Sequence, residues 1–191
     1  MYSELHNLQS GYLEVICGPM FCGKTEELIR RVKRAVISKQ SVLIIKPKID
    51  NRYHPENVVS HAENSIQAIA IENIEEIYLH IKHQNVIAID EAQFFKNNIV
   101  DICEDLANKG KRVIVAGLDK DAFAKPFGPM PALMACADMV TKLHAICVVC
   151  GKLASFTFRT STSKDLVLVG THDMYEARCR KCYTEGQYTI F

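Results

Sequence analysis

The sequence predicts an α/β fold in which a mostly parallel sheet is covered by helices on both faces. Between residues 12 and 118, short apolar segments alternate with segments of helical periodicity. The apolar segments are nearly continuous, which is typical of parallel strands that are buried on both sides. A glycine-rich segment joins the first strand to the first helix, as in sheets that present a helix N-terminus to a ligand. A chain of 191 residues has room for this domain and a small appendage.

Four strands are predicted, at YLEVIC (12–17), SVLIIKP (41–47), NVIAID (85–90) and KRVIVAGL (111–118). Between the second and third strands, the polar segment 48–61 is interpreted as a loop near the ligand end of the sheet.

Three helices are predicted from periodicity and capping signals. The first follows the glycine-rich segment, and its apolar face consists of Leu28, Ile29, Val32 and Val36. The second covers 73–84, where Asn73 and Glu76 form a capping box, and the third covers 97–110 and ends at a glycine. Four basic residues of the first helix are interpreted as a solvated face: Arg30, Arg31, Lys33 and Arg34.

The alternation stops near residue 143, which predicts a main domain at 11–142 and a small cysteine-bearing domain at 143–191. Within the second domain, SFTFRTSTSKDLVLVG (155–170) has two alternating stretches around a polar turn. This pattern is consistent with a plain β-hairpin or with a flap, at about 151–178, that closes over a ligand.

The glycine-rich segment GPMFCGKT has the spacing of a phosphate-binding loop. Its glycines let backbone N–H groups turn toward phosphates, the Lys24 ammonium reaches the β and γ phosphates, and the Thr25 hydroxyl binds Mg²⁺. The strand before it and the helix after it are the context that this motif requires. A site for ATP or GTP with Mg²⁺ is therefore predicted at Gly18, Pro19, Met20, Phe21, Cys22, Gly23, Lys24 and Thr25.

An acidic pair, Asp90-Glu91, ends the third predicted strand. An acid at the carboxyl edge of a sheet that carries a phosphate loop is suited to hold Mg²⁺ through water, and Asp90 is assigned that role. Glu91, on the other side of the pleat, is positioned to take a proton from a hydroxyl or a water. Phe94 and Phe95 follow directly, either as core residues or as a flat wall for an acceptor ring.

Two CxxC pairs, Cys147/Cys150 and Cys179/Cys182, predict a closed tetrahedral zinc site with a structural role. A redox-active CxxC pair is the alternative, which the tandem arrangement disfavours. His144 and His172 are possible substitute ligands, although four cysteines need neither. The other cysteines are interpreted as small apolar residues: Cys17, Cys22, Cys103 and Cys136.

Composition and charge restrict the class of protein. The 23 basic and 22 acidic residues give a net charge of +1, so no broad basic field indicates a nucleic-acid partner. The N-terminus lacks the pattern of a signal peptide, and no apolar run approaches the ~20 residues that cross a bilayer. The chain is expected to be cytoplasmic, without a membrane partner.

Taken together, the motifs resemble one family, the zinc-containing thymidine kinases of animals, bacteria and large DNA viruses. The resemblance spans roughly residues 12–183 and rests on five blocks in the same order: GPMFCGKTEELIRRVKR, KPKIDNRY, AIDEAQFF, GLDKDAFAKPFGPMPAL and the CxxC pairs around THDMYEARC. It implies a P-loop NTPase (RecA-like) sheet with a small zinc-binding domain and a flap. It also implies transfer of the ATP γ-phosphate to the 5′-hydroxyl of thymidine, a step of nucleotide salvage for DNA synthesis.

The resemblance also implies roles for individual residues. Glu91 would be the base, and Cys147, Cys150, Cys179 and Cys182 would hold zinc. The ATP and Mg²⁺ site would gain Asp50, Asn51, Arg52, Asp90, Ala92 and Gln93. The thymidine site would comprise Met20, Phe94, Leu118, Phe123, Thr157, Leu166, Val167, Leu168, Val169, Gly170 and Tyr175. The resemblance further implies a homotetramer that is inhibited by thymidine triphosphate.

The sequence departs from the family pattern at one position. An aromatic residue usually follows the second aspartate of GLDxD, whereas Ala122 stands here and Phe123 comes next. Either the loop shifts so that Phe123 covers the thymine base, or the pocket is wider. The selectivity against deoxyuridine depends on which of these two arrangements the protein adopts.

Two other classes share part of the pattern. A zinc-ribbon NTPase would hydrolyse ATP against water and bind single-stranded nucleic acid, but 143–183 has few aromatic residues at the spacing of a stacking platform. A nucleotide-dependent switch module would need no base, so Glu91 and the flap count against it.

Overall fold

The computed structural model describes residues 11–49, 57–59, 65–160 and 174–190, and the side chains of 57–59, 65–66 and 188–190 are not part of that description. A six-stranded sheet organises this part of the chain. Its strands are β1 Tyr12–Gly18, β2 Val42–Pro47, β5 Ile69–Ile71, β6 Val86–Ile89, β7 Arg112–Leu118 and β8 Met139–Lys142. Their order in the sheet is β5-β2-β6-β7-β1-β8, and all five pairings are parallel. The predicted parallel sheet is confirmed.

Helices cover both faces of the sheet, as predicted. They are α1 Lys24–Ile37, α2 Ile77–His80, α3 Ile99–Asn108 and α4 Met130–Cys136, with 3₁₀ turns at Ile74–Glu76 and Ala92–Phe94. Leu13 and Val15 of β1 belong to an apolar cluster with α3 and α4, whereas Ile16 belongs to a second cluster with α1. Because neighbouring strand residues point to opposite faces, β1 contributes to the core on both sides of the sheet.

Two predictions of local structure were wrong in part. The helix predicted at 73–84 is a 3₁₀ turn followed by the single-turn α2, although the capping box of Asn73 and Glu76 is present. The loop predicted at 48–61 contains β3 Asn57–Val59, which pairs antiparallel with β4 Ser65–Gln67. The edge strand β8 and the short helix α4 were not predicted.

The first helix differs from its predicted pattern in two side chains. Val36, assigned to the apolar face, is 57% exposed, and Ala35 is buried instead. Arg31, assigned to the solvated face, is only 5% exposed. Its guanidinium contacts Glu14 at 2.5 Å and Glu27 at 2.8 Å, and it also donates to the Thr141 hydroxyl. Periodicity could not reveal this because Glu14 lies on the adjacent strand.

Arg31→Met is expected to lower the free energy of unfolding by about 3 kcal/mol, since Glu14 would lose one of its two cationic partners while 1% exposed. Arg30→Met is the matched control, because Arg30 also pairs with Glu27 but its side chain is 56% exposed. Urea unfolding of both variants measures the difference. Equal decreases in the free energy of unfolding in the two variants would contradict a structural role for the buried pair of Arg31 and Glu14.

The remaining strands and the last helix form the C-terminal module, defined as the described residues from 143 onward. It contains β9 Ala145–Ile146, β10 Leu153–Ala154, β11 Phe156–Arg159, β12 Tyr175–Arg178 and α5 Arg180–Ile190. The strand predicted at the start of 155–170 is β11, and its antiparallel partner is β12. The second half of the predicted hairpin, and residues 161–173 of the predicted flap, lie outside the described residues.

Within the described ranges, none of the helices has both the length and the apolarity of a membrane-spanning segment.

Candidate active site

The phosphate loop leads from the carboxyl end of β1 into the N-terminus of α1, as predicted. Gly18 and Gly23 have φ values of 148° and 83°, which side chains with a Cβ rarely adopt. A Cβ on Gly18 would also lie 2.5 Å from the carbonyl oxygen of Leu143. Both glycines of the motif are therefore required by the backbone itself.

Lys24 and Thr25 point their polar groups into the loop and toward the sheet edge. Lys24 is 8% exposed, and its ammonium donates to the Pro19 carbonyl at 2.7 Å. The Thr25 hydroxyl donates to Asp90 Oδ2 at 3.2 Å, so the two groups predicted to act on Mg²⁺ are adjacent across 65 residues of sequence. The residue types and spacing suit a hydrated Mg²⁺ ion, which prefers oxygen ligands.

Glu91 lies just beyond β6 in a left-handed conformation, with φ 51° and ψ 40°. Since β6 ends at Ile89, this turn rather than the pleat sets the direction of Glu91, and the basis of that prediction was wrong. Asp90 Oδ1 accepts the Glu91 N–H at 3.0 Å. A non-glycine residue in the left-handed backbone region is strained, and such strain is common at functional sites.

Gln93 holds the Glu91 carboxylate in place. Its Nε2 donates to Glu91 Oε2 at 2.5 Å, and its Oε1 accepts the Leu118 N–H at 3.0 Å. Because Leu118 N–H engages the amide oxygen, the amide nitrogen must face the carboxylate. The side chain is 3% exposed and passes Gly117, where a Cβ would lie 2.8 Å from Gln93 Oε1. No local pattern in a single sequence predicts this bridge.

Part of the phosphate loop and Glu91 line one small cavity of about 50 Å³. Lys24, Thr25 and Glu91 lie in its wall with Met20 and Leu118, which were predicted to contact the nucleoside. The elements that supply them are the loop after β1, the turn after β6 and the end of β7, which are neighbours in the sheet. Residues predicted to bind the nucleotide and residues predicted to bind the nucleoside thus meet at one edge of the sheet.

The two phenylalanines after the acidic pair have different environments. Phe95 is 6% exposed and belongs to the apolar core, whereas Phe94 is half-buried. The Phe94 ring meets Phe127 edge-to-face, with the centroids 5.9 Å apart. Phe95 is therefore a core residue, and the role of Phe94 as a wall for an acceptor ring stays a prediction.

The C-terminal module contributes a second group of predicted residues. The Thr157 hydroxyl accepts the Met20 N–H at 3.0 Å. Two residues along β11, Arg159 donates to the Tyr175 hydroxyl at 3.0 Å. Its guanidinium also lies 5.5 Å from the centroid of the Phe123 ring, which joins the loop after β7 to this module. Sequence reasoning did not single out Arg159, which is 6% exposed.

The Ala122 position is close-packed. Ala122 is 8% exposed and its carbonyl accepts the Tyr183 hydroxyl at 2.8 Å, whereas Phe123 is 41% exposed. The remaining predicted ligand-site residues lie outside the described residues: Asp50, Asn51, Arg52, Leu166, Val167, Leu168, Val169 and Gly170.

Cys147, Cys150, Cys179 and Cys182 form one cluster, in which all four sulfur atoms lie within 4.8 Å of one another. The Cys150 and Cys179 sulfurs are 3.6 Å apart. A tetrahedral ion with Zn–S bonds of about 2.3 Å requires sulfur separations near 3.8 Å, so the cluster fits structural zinc. Burial opposes ionisation of Cys147, but surrounding backbone N–H groups lower its pKa to about 6, which favours the thiolate that zinc binds.

The remaining cysteines lie outside this cluster. Burial raises the pKa of Cys17 to about 11 and that of Cys103 to about 12, which keeps both as neutral thiols. Cys136 is exposed and is not one of the four clustered cysteines.

Comparison with known proteins places the chain in a family. A family model described as thymidine kinase matches residues 11–183. A thymidine kinase of Bacteroides fragilis (strain YCH46) is 53% identical over 96% of this chain and 94% of its own length. One of Rhodothermus sp. is 51% identical over 93% and 84% of the two chains, and one of Bacteroides thetaiotaomicron is 53% identical over 98% and 96%. The chain belongs to the thymidine kinase family.

Proposed function

We propose that this protein is an ATP-dependent thymidine kinase. It transfers the γ-phosphoryl group of ATP to the 5′-hydroxyl of thymidine and serves the salvage of DNA precursors. The observation that carries the proposal is the placement of the Glu91 carboxylate in one cavity with Lys24 and Thr25 of the phosphate loop. A hydrolase or a switch would share the loop, but a held carboxylate opposite it is suited to activate an acceptor hydroxyl.

The donor half of the site is the phosphate loop with Asp90. Residues Gly18–Thr25 hold the triphosphate, and Lys24 lies where its ammonium can neutralise charge on the β and γ phosphates. Thr25 and Asp90 would hold Mg²⁺, which would supply positive charge to the transferring group. Asp50, Asn51 and Arg52 are proposed to complete this half, on the basis of the family motif alone. Ala92 and Gln93 border it, with Gln93 turned toward the base.

The acceptor half centres on Glu91. Its carboxylate takes the proton of the 5′-hydroxyl as the oxygen forms its bond to the γ-phosphorus, and the bond from that phosphorus to the β–γ bridging oxygen breaks to release ADP. Gln93 donates one hydrogen bond to the carboxylate, which fixes its direction. Most of the rate enhancement comes from positioning and charge neutralisation, as in other phosphoryl transfers.

The nucleoside pocket is proposed to lie between Met20, Leu118 and Phe94 on the sheet edge and Thr157 of the C-terminal module. Tyr175 and the segment Leu166–Gly170 would close over it as a flap. Zinc at the four cysteines would anchor that flap, with the domain boundary at residue 143. By resemblance to the family, we also propose a cytoplasmic homotetramer inhibited by thymidine triphosphate.

Phe123→Ala is expected to raise the KM for thymidine about tenfold and to reduce the preference for thymidine over deoxyuridine. The physical reason is the ring's contact with Arg159, which would hold Phe123 over the pocket in place of the missing aromatic residue at 122. Steady-state kinetics with both nucleosides measures the change. Phe123→Tyr is the control that keeps the ring, and an unchanged KM in Phe123→Ala would exclude Phe123 from the pocket.

Product analysis tests the proposed function. Purified protein incubated with ATP, Mg²⁺ and thymidine should yield ADP and thymidine 5′-monophosphate in equal amounts, resolved by chromatography. ATP hydrolysis without nucleotide product, stimulated by single-stranded DNA, would instead identify a zinc-ribbon NTPase.

A further inference from the structure

The tip of the phosphate loop packs against the C-terminal module. Phe21 and Cys22 contact the small buried cluster formed by Ala145, Cys147, Ala154, Ala177 and Cys182. Two members of that cluster, Cys147 and Cys182, also belong to the four-cysteine centre. The loop tip and the metal centre therefore share one apolar core.

Backbone contacts join the loop to the same module at further points. The Met20 N–H donates to the Thr157 hydroxyl of β11, at 3.0 Å. The Leu143 N–H donates to the Cys17 carbonyl at 2.8 Å, and the Leu143 carbonyl lies close against Gly18. The loop is thus held both where it begins and at its tip by residues from 143 onward.

The conformation of Phe21 is one that packing must stabilise. Its φ of 65° lies in the left-handed region, which is unfavourable for a bulky residue with a Cβ. Phosphate loops bind anions through backbone N–H groups that point inward only in particular local conformations. A change at Phe21 therefore alters the direction of neighbouring N–H groups.

We propose that Phe21 is a positioning residue that couples zinc binding to nucleotide binding, which rests on the proposed function above. Zinc fixes the positions of Cys147 and Cys182, their cluster fixes Phe21, and Phe21 keeps the loop ready for phosphates. Because linkage is reciprocal, bound nucleotide must raise the affinity for zinc by the same factor by which zinc raises the affinity for nucleotide.

The test measures zinc affinity, without phosphoryl transfer. The full chain, loaded with one equivalent of zinc, is titrated with a competing chelator in the presence and absence of saturating ADP, and ADP binding is measured separately by calorimetry. In the wild-type protein, ADP is expected to raise the zinc affinity by about 5- to 100-fold. The ratio of the zinc affinity with ADP to the zinc affinity without ADP should fall to about one in Phe21→Ala. It should be largely retained in Phe21→Leu, which keeps an apolar side chain. Tyr78→Ala, at an exposed aromatic residue on α2, is the control and should keep the wild-type ratio.

Each outcome decides the proposal. Equal zinc affinity with and without bound ADP in the wild-type protein would overturn the coupling and leave the proposed function intact. A wild-type ratio in Phe21→Ala at saturating ADP would overturn the role of Phe21, since general stabilisation by a ligand does not need that residue. A wild-type protein that binds no ADP would contradict the proposed function and this coupling together. If Phe21→Ala does not fold, the wild-type comparison and Phe21→Leu carry the test.

Discussion

Glu91→Gln is expected to lower kcat for thymidine phosphorylation by a factor of about 10² to 10⁴ and to leave ATP binding nearly unchanged. Glutamine has the size of glutamate but cannot accept the proton of the 5′-hydroxyl. The substituted amide would also face the Gln93 amide nitrogen that now donates to Glu91 Oε2. Quench-flow or steady-state assays measure kcat, and calorimetry with ATP measures binding.

Two further variants distinguish the loss of the general base from other causes of low activity. Lys24→Met should abolish ATP binding itself, because it removes the ammonium inside the loop. Gln93→Leu should lower kcat less than Glu91→Gln. The reason is that the carboxylate stays in place but loses a hydrogen bond that orients it. Full kcat in Glu91→Gln would remove Glu91 from the mechanism.

Cys147→Ser is expected to eliminate bound zinc and to unfold the C-terminal module. Cys147 is 1% exposed, and its sulfur is one of four within 4.8 Å. Structural zinc contributes on the order of 10 kcal/mol to the folding of small domains, and loss of one thiolate removes much of that free energy. Elemental analysis should therefore find no zinc, and the thermal midpoint should fall.

The matched control is Cys136→Ser, at an exposed cysteine outside the cluster. It should retain one zinc per chain and the wild-type midpoint, which separates the effect of the metal from that of removing a thiol. One zinc per chain in Cys147→Ser with an unchanged midpoint would contradict a four-cysteine centre.

The sequence was sufficient to predict the strands and motifs that depend on local patterns. β1, β2, β6 and β7 are apolar runs, and the phosphate loop is a contiguous motif with required glycines. Each CxxC pair is likewise a local motif, which can be recognised without knowledge of the sheet. These features could be predicted because each depends on residues that are near one another in the chain.

The features that were missed depend on distant contacts. β8 is a half-exposed edge strand of four residues, too short for a clear period. Arg31 is buried because Glu14 on β1 and Thr141 on β8 lie beside it. Gln93 bridges Glu91 to Leu118, which is 25 residues away. Phe123 contacts Arg159 only because β11 packs beside the loop after β7. No local pattern indicates these neighbours.

The most direct test of the central claim is a nucleoside panel with γ-labelled ATP. Purified wild-type protein with Mg²⁺ is given thymidine, deoxyuridine, deoxycytidine, deoxyadenosine or deoxyguanosine, and label transferred to each nucleoside is counted. Label should pass to thymidine, with deoxyuridine as a weaker acceptor, and not to the other three. Label released only as inorganic phosphate with every nucleoside would contradict a thymidine kinase.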